Sequence, residues 1–84
     1  MKFRVEYIFS SELPVTLIAR QLEAGDFTLS MSPRLGGIPL QRTLTQPRAL
    51  KPDGSPDLSV FMFTLTDARN AKEFSVGQVA ELEP

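Results

Sequence analysis

The segment that decides the fold of this 84-residue chain is Val15-Thr-Leu-Ile-Ala-Arg-Gln-Leu-Glu-Ala-Gly-Asp-Phe-Thr-Leu29. Two apolar stretches flank a break, Glu23-Ala-Gly-Asp26, whose residues are common in turns. If the segment is a strand, a turn and a second strand, the protein is a small β-barrel. If a helix spans residues 13–24 instead, the fold is α+β.

Both interpretations have support in the residues. The stretch 15–18, Val-Thr-Leu-Ile, is rich in β-branched side chains, and apolar residues alternate cleanly over 27–31. For the helix, Ser11 can cap the N-terminus, Pro14 can occupy the first turn, and Gly25 can follow the last turn. We favour the hairpin and keep the helix as the alternative.

The remaining apolar segments predict further strands. Residues 2–9 alternate, with Phe3, Val5 and Tyr7 on one apolar face. Residues 58–65 are apolar on both faces, which is typical of a strand at the centre of a closed or covered sheet. Residues 66–72 are a polar connection with room for one helical turn. Residues 74–84 form the predicted last strand, with two core residues, Val79 and Leu82.

Together these patterns predict one all-β domain over residues 1–84, an antiparallel barrel of about five to six strands that is closed or partly open. Its middle, residues 32–57, is punctuated by proline and glycine and is predicted to be a long loop. Within it, residues 38–44 alternate and can form a short strand, and 52–57 carry a strong turn signal. A loop of this length in so small a domain is usually functional or mobile.

The long loop also carries the chain's most uneven charge. Between Phe27 and Pro52 there are four basic residues and no acid, whereas the other segments hold five basic and ten acidic residues. The middle is therefore +4 and the remainder −5, although the net charge is only −1. A solvated loop with dispersed charge is the simpler interpretation. The functional interpretation is a patch that binds an anionic ligand or a protein partner, formed by Arg34, Arg42, Arg48 and Lys51.

The composition excludes several chemistries. The chain has no cysteine and no histidine, so disulfides, thiol nucleophiles, zinc sites of the usual kind and imidazole acid–base catalysis are ruled out. Three carboxylates, Glu6, Glu23 and Asp26, approach one another in a hairpin, but carboxylates on turns and strand surfaces are usually solvated. We therefore predict no enzymatic activity, no catalytic residue and no cofactor.

Two short motifs resemble ligand-binding loops. The stretch Asp53-Gly-Ser-Pro-Asp57 spaces oxygen ligands as in a calcium loop, but it lacks the later bidentate glutamate, and a turn is the better interpretation. Leu35-Gly-Gly-Ile38 could point two backbone N–H groups at an anion beside Arg34, as in a phosphate nest, although a lone Gly-Gly is common in turns. We predict no metal site.

The N-terminus carries charges at alternate positions and cannot be the apolar centre of a signal peptide. No window approaches the ~20 apolar residues of a membrane-spanning helix. The absence of cysteine in so short a chain favours an intracellular setting, because small secreted domains usually need disulfides. The expectation is a soluble, cytoplasmic protein.

The order of these signals resembles the second, β-barrel domain of translational GTPases such as elongation factor Tu. That family opens with F-x-(V/I)-E-x-(V/I)-F, followed by G-R-V-E-x-G-x-(I/L), an apolar strand and a terminal G-x-V. This chain has Phe3-Arg-Val-Glu-Tyr-Ile-Phe9, Arg20-Gln-Leu-Glu-Ala-Gly-Asp-Phe27, the apolar residues 58–65, and Gly77-Gln-Val79. Where the family has G-R-G-T-V-V, residues 12–17 read Glu-Leu-Pro-Val-Thr-Leu, and no P-loop is present.

The resemblance implies the barrel architecture and an association with RNA or translation, without GTPase activity. From the residues themselves, the first expectation is a non-enzymatic binding module that recognises a protein partner or an anionic ligand through residues 32–57. The alternatives are nucleic-acid binding by the barrel, with exposed aromatic side chains stacking on bases, and a structural subunit that self-associates through strand edges.

Overall fold

A computed structural model describes residues 1–83. Within that range the chain forms six strands and one 3₁₀-helix, Ala68–Glu73. The strands are β1 Lys2–Phe9, β2 Thr16–Gln21, β3 Arg34–Leu35, β4 Ile38–Thr45, β5 Val60–Leu65 and β6 Val79–Glu83. All neighbouring strands are antiparallel, and they close a barrel in the order β1-β2-β5-β4-β3-β6. The predicted all-β barrel is confirmed.

The decisive segment contains strand β2, so the helix over residues 13–24 is wrong. β2 lies between β1 and β5, where Leu17 is opposite Ile8 on one side and Phe63 on the other. Leu17 and Ala19 point into the barrel and are fully buried, while the alternate residues Thr16, Ile18 and Arg20 face outward and are half-buried. The β-branched residues suit this pleated position with partners on both edges.

The partner predicted for β2 is wrong, however. Residues 27–31 form no strand, and the hairpin that contains β2 is made with β1. Phe27 and Leu29 are half-buried and pack against the core, whereas Thr28 and Ser30 face solvent. The alternation in this stretch therefore comes from packing across the barrel, and not from pairing in a ladder.

Strand β1 contains a β-bulge that changes which side chains enter the core. The register shifts between Val5, which is opposite Ala19, and Tyr7, which is opposite Ile18. Phe3 and Val5 are fully buried, but Tyr7 is 54% exposed. The prediction that Tyr7 shares their face is wrong, because one extra residue in a strand moves the following side chains to the opposite face.

The predicted long loop 32–57 is shorter than expected, because it contains β3 and β4. The short strand predicted over residues 38–44 is confirmed as β4. Gly36 and Gly37 join the two strands with φ of +59° and +81°, which is the two-residue hairpin turn that glycine allows. The loop proper begins after Thr45 and ends before Val60.

Strand β5 lies between β2 and β4 and is flanked on both edges, as its apolar composition predicted. Phe63 and Leu65 point into the core. The last strand begins at Val79, later than the predicted start at residue 74, and residue 84 of the prediction lies outside the described residues. Leu82 is buried as expected, but Val79 is 52% exposed, so its assignment to the core is wrong.

The centre of the core is an aromatic cluster around Phe3. Its ring meets those of Phe27, Phe61 and Phe63 edge-to-face at centroid distances of 5.2, 6.1 and 5.1 Å. Each fully buried large apolar side chain contributes about 1.5–3 kcal/mol through removal from water, and edge-to-face pairs add to this. These rings join β1 to β5 and hold residues 27–29 against the barrel.

Candidate functional site

The four candidate basic residues are divided between two adjacent strands and the loop that follows them. Arg34 is on β3, Arg42 is on β4, and Arg48 and Lys51 follow in the loop after β4. All four are exposed. Within residues 1–83 none of them forms an ion pair, whereas three of the five cations elsewhere do so: Arg4, Arg20 and Arg69.

Two of the four are held in place by the backbone. Nη1 of Arg34 donates to the carbonyl oxygen of Gly37 at 3.1 Å, and Nε of Arg42 donates to that of Ser30 at 3.0 Å. A guanidinium has five N–H groups, so most of its donors and its full charge remain for a partner. Arg34 lies opposite Glu83 in the β3–β6 ladder, so it has a carboxylate as its cross-strand neighbour.

A groove opens at the end of β4. Gly25, Asp26 and Phe27 form one wall and Leu44 and Gln46 the other, and we call it the Phe27–Leu44 groove. Gln21, Leu58 and Phe61 complete its lining, and its volume is about 300 Å³. The rings of Phe27 and Phe61 meet edge-to-face at 4.9 Å beneath it, and Leu58 is 68% exposed. The sequence did not indicate this groove, because its walls come from four separate segments.

The polar groups of the groove are fixed by hydrogen bonds. Nε2 of Gln21 donates to the carbonyl oxygens of Glu23 and Gly25 at 2.7 and 2.6 Å. Nε2 of Gln46 donates to the carbonyl oxygen of Leu58 at 2.9 Å. Within the described chain, the Oε1 atoms of Gln21 and Gln46 receive no hydrogen bond.

The most strongly connected charged cluster lies elsewhere, on the outer face of β1 and β2. Arg20 donates from Nε to Oε1 of Glu6 at 2.7 Å and from Nη1 to Oδ2 of Asp57 at 2.9 Å. The Arg20 hydrogen bond lowers the pKa of Glu6, and the Ser59 backbone N–H followed by the Arg20 guanidinium lowers the pKa of Asp57. Both carboxyls are thereby held as carboxylates, which suits a structural tie between strands.

The three carboxylates considered for acid–base chemistry have separate environments. Glu6 is paired with Arg20 and Arg4, Glu23 accepts a hydrogen bond from the backbone N–H of Lys2 at 2.8 Å, and Asp26 lines the groove. Among residues 1–83, no group of three acidic side chains is placed to hold a metal ion.

The two loop motifs are both turns. Oδ1 of Asp53 accepts hydrogen bonds from the backbone N–H and the hydroxyl of Ser55 at 3.0 and 2.6 Å, which confirms the turn at 53–57. The N–H of Gly36 donates to the carbonyl oxygen of Glu81 at 2.8 Å. Since this N–H is used between strands, the phosphate nest at Gly36-Gly37 is wrong.

The exposed aromatic side chains lie on a strand that does not neighbour the strand of Arg42. Tyr7 and Phe9 lie on β1 with ring centroids 4.6 Å apart, and they are 54% and 40% exposed. β2 and β5 separate β1 from β4, which carries Arg42. Stacking on these rings and phosphate contacts at Arg42 therefore belong to different parts of the surface.

Comparison with protein-family models, with curated proteins and with solved structures finds no match to this chain. The resemblance to the second domain of translational GTPases therefore stays a prediction based on the quoted motifs. Among residues 1–83, no helix has the length and apolar composition needed to cross a membrane.

Proposed function

We propose that this protein is a non-enzymatic binding module that recognises an acidic surface of a partner protein through Arg34, Arg42, Arg48 and Lys51. The observation that carries the proposal is the absence of ion pairing at these four exposed cations within the described chain, in a segment that contains no acid. Charge that is not taken up in an ion pair is available to a partner, although Arg34 has Glu83 as its cross-strand neighbour and the charge of Lys51 helps to lower the pKa of Asp57.

The expected role of these charges follows from their exposure. A single solvent-exposed ion pair contributes about 0–1 kcal/mol, so affinity must come from several pairs formed together. A cluster of one sign also steers an oppositely charged partner and raises the association rate. Backbone hydrogen bonds at Arg34 and Arg42 reduce the conformational entropy that these side chains lose on binding.

Nucleic-acid binding is the less supported alternative. Single-strand binding usually combines a basic groove with aromatic platforms along the same path. Here the exposed pair Tyr7 and Phe9 lies on β1, with two strands between it and β4. A net charge of −1 also gives weak general attraction to phosphates.

The proposal is tested by titrating the labelled protein with a glutamate-rich peptide and, separately, with single-stranded RNA, each at low and high salt. We expect the peptide to shift the amide resonances of Arg42, Arg48 and Lys51, with affinity that falls as salt rises. Equal or stronger binding of RNA at the same residues would favour the nucleic-acid alternative. Sedimentation of the free protein checks whether a second copy is the acidic partner.

The matched variants remove the same charge from two places. Replacing Arg42, Arg48 and Lys51 by alanine should weaken peptide binding at least about tenfold, which corresponds to about 1.4 kcal/mol. Replacing the exposed Lys2, Arg69 and Lys72 by alanine makes the same change in net charge and should leave the affinity within about threefold. Equal loss in both triple variants would reduce the effect to net charge and contradict the proposal.

A further inference from the structure

We propose that the Phe27–Leu44 groove binds an apolar side chain of the acidic partner, next to the cations that bind its carboxylates. This inference rests on the proposed function and names the chemistry of the partner: an extended acidic segment that carries one large apolar residue. The groove and the basic residues share strand β4 and the chain that follows it, since Leu44 and Gln46 lie between Arg42 and Arg48 in the sequence.

Half of the eight residues that line the groove are large and apolar. Phe27 and Phe61 form an aromatic floor, and Leu44 and Leu58 remain 37% and 68% exposed beside it. Large apolar side chains that stay uncovered and adjacent are typical of interaction sites. A volume of about 300 Å³ is at the lower limit of small-molecule sites, and a single phenylalanine or leucine side chain can enter it.

The polar groups at the rim suit a polypeptide backbone. Oε1 of Gln21 and Oε1 of Gln46 are held in place by the hydrogen bonds that their Nε2 atoms donate. Each of these oxygens can accept an N–H from an extended segment whose side chain enters the groove. Acceptors that are fixed before binding lose little conformational entropy when the bond forms.

The charges around the groove orient the partner. Arg42 and Arg48 each lie two positions along the chain from a residue of the groove, Leu44 and Gln46, whereas among the described residues that line it Asp26 is the only charged one. Carboxylates of the partner are therefore attracted to the β4 side and repelled from the opposite wall. It follows that Asp26→Asn should tighten the binding of an acidic segment, while the loss of Arg48 should weaken it.

The test compares two glutamate-rich peptides that differ only at one central residue, phenylalanine or serine. We expect the phenylalanine peptide to bind about tenfold to a hundredfold more tightly, because burying such a ring removes most of its apolar surface from water. Its binding should also shift the amide resonances of Gly25 and Leu58, which the serine peptide should leave unchanged.

Two leucines with nearly equal exposure provide matched variants. Leu58→Ser changes the groove, while Leu50→Ser changes the same loop outside it, and their side chains are 68% and 70% exposed. Because neither leucine belongs to the core, both variants should fold. Leu58→Ser should remove most of the preference for phenylalanine, and Leu50→Ser should retain it.

The outcomes separate this inference from the function on which it rests. If both peptides bind equally and only the basic residues respond, the groove assignment is overturned and the basic binding surface stands. If neither acidic peptide binds, a neutral probe, N-acetylphenylalaninamide, is titrated alone. Shifts at Gly25 and Leu58 with that probe would keep the groove as an apolar site and overturn the acidic partner, and no shifts would overturn both.

Discussion

Arg20 and Asp57 are 37 positions apart in the sequence, and Nη1 of Arg20 donates to Oδ2 of Asp57 at 2.9 Å. The same guanidinium binds Glu6 on β1, so one side chain on β2 ties together β1, β2 and the chain that leads into β5. Arg20 is also the cross-strand neighbour of Val60, which is only 3% exposed. The adjacent pair in this ladder, Ala19 and Phe61, faces the core, so Arg20 and Val60 face the outside of the barrel. The ion pairs of Arg20 thus lie beside an apolar side chain that is itself buried.

Arg20→Ala should lower the free energy of unfolding by about 1–2 kcal/mol in a urea titration, because two carboxylates lose their partner and the aliphatic stem is removed. The value is modest because the side chain is one-third exposed and its ion pairs are partly screened by solvent. Arg69→Ala removes a pair whose arginine is 88% exposed and serves as the control, with a smaller loss. Equal losses would show that the Arg20 cluster is no more than a surface pair.

Stability should fall at acidic pH because of the same cluster. The pKa values of Glu6 and Asp57 are lowered in the folded state, so their contribution is complete above the unfolded values of about 4.3 and 3.9. This stabilisation is lost as pH falls toward the lower pKa values of the folded state, because the unfolded chain takes up protons at a higher pH than the folded protein does. Urea unfolding between about pH 6 and pH 3 should show this decline. The decline should be shallower for Arg20→Ala, and an unchanged slope in that variant would contradict the assignment.

Phe3→Ala and Tyr7→Ala should differ strongly, although both positions are aromatic residues of β1. Phe3 is fully buried among three other rings, and its truncation should cost about 3–5 kcal/mol in free energy of unfolding. Tyr7 lies beyond the bulge and is 54% exposed, so its truncation should cost under about 1 kcal/mol. Thermal unfolding of both variants measures the difference. A similar cost at Tyr7 would place its ring in the core and remove the bulge.

Amide hydrogen exchange should distinguish residues 27–31 from a paired strand. Within the described chain, residues 24–32 take part in no backbone–backbone hydrogen bond. The amides of Thr28 and Ser30 should therefore exchange rapidly, while those of Leu17 and Phe63 in the central ladders should exchange slowly. Slow exchange at Thr28 would instead indicate the strand that the sequence alternation predicted.

The all-β barrel, β2, β5 and the single helical turn were predictable, because each depends on local pattern and composition. The partner of β2 was not. Alternation at Phe27 and Leu29 shows that one side of an extended segment is buried, but it does not distinguish a sheet ladder from packing across the barrel. The bulge in β1 was equally hidden, since an extra residue changes the face of Tyr7 without changing the sequence pattern.

For the candidate site, the basic residues could be predicted from the sequence, but the groove and the ion pairs of Arg20 could not. An acid-free stretch with four cations is visible in composition alone. The groove beside it joins residues 21–27, the end of β4 and the start of β5, which only the closed barrel brings together. The role of Arg20 was hidden for the same reason, because its partners lie 14 and 37 positions away.

The closure of the barrel also has a consequence for how the chain folds. One edge of β1 pairs with β2, its neighbour in sequence, and the other pairs with residues 79–81 of β6. The second ladder can form only after nearly the whole chain is available, and such distant pairing slows folding, typically to milliseconds or seconds. Until then part of β1 keeps an unpaired edge. A nascent chain on the ribosome therefore carries an unpaired, aggregation-prone edge on β1 until β6 has emerged.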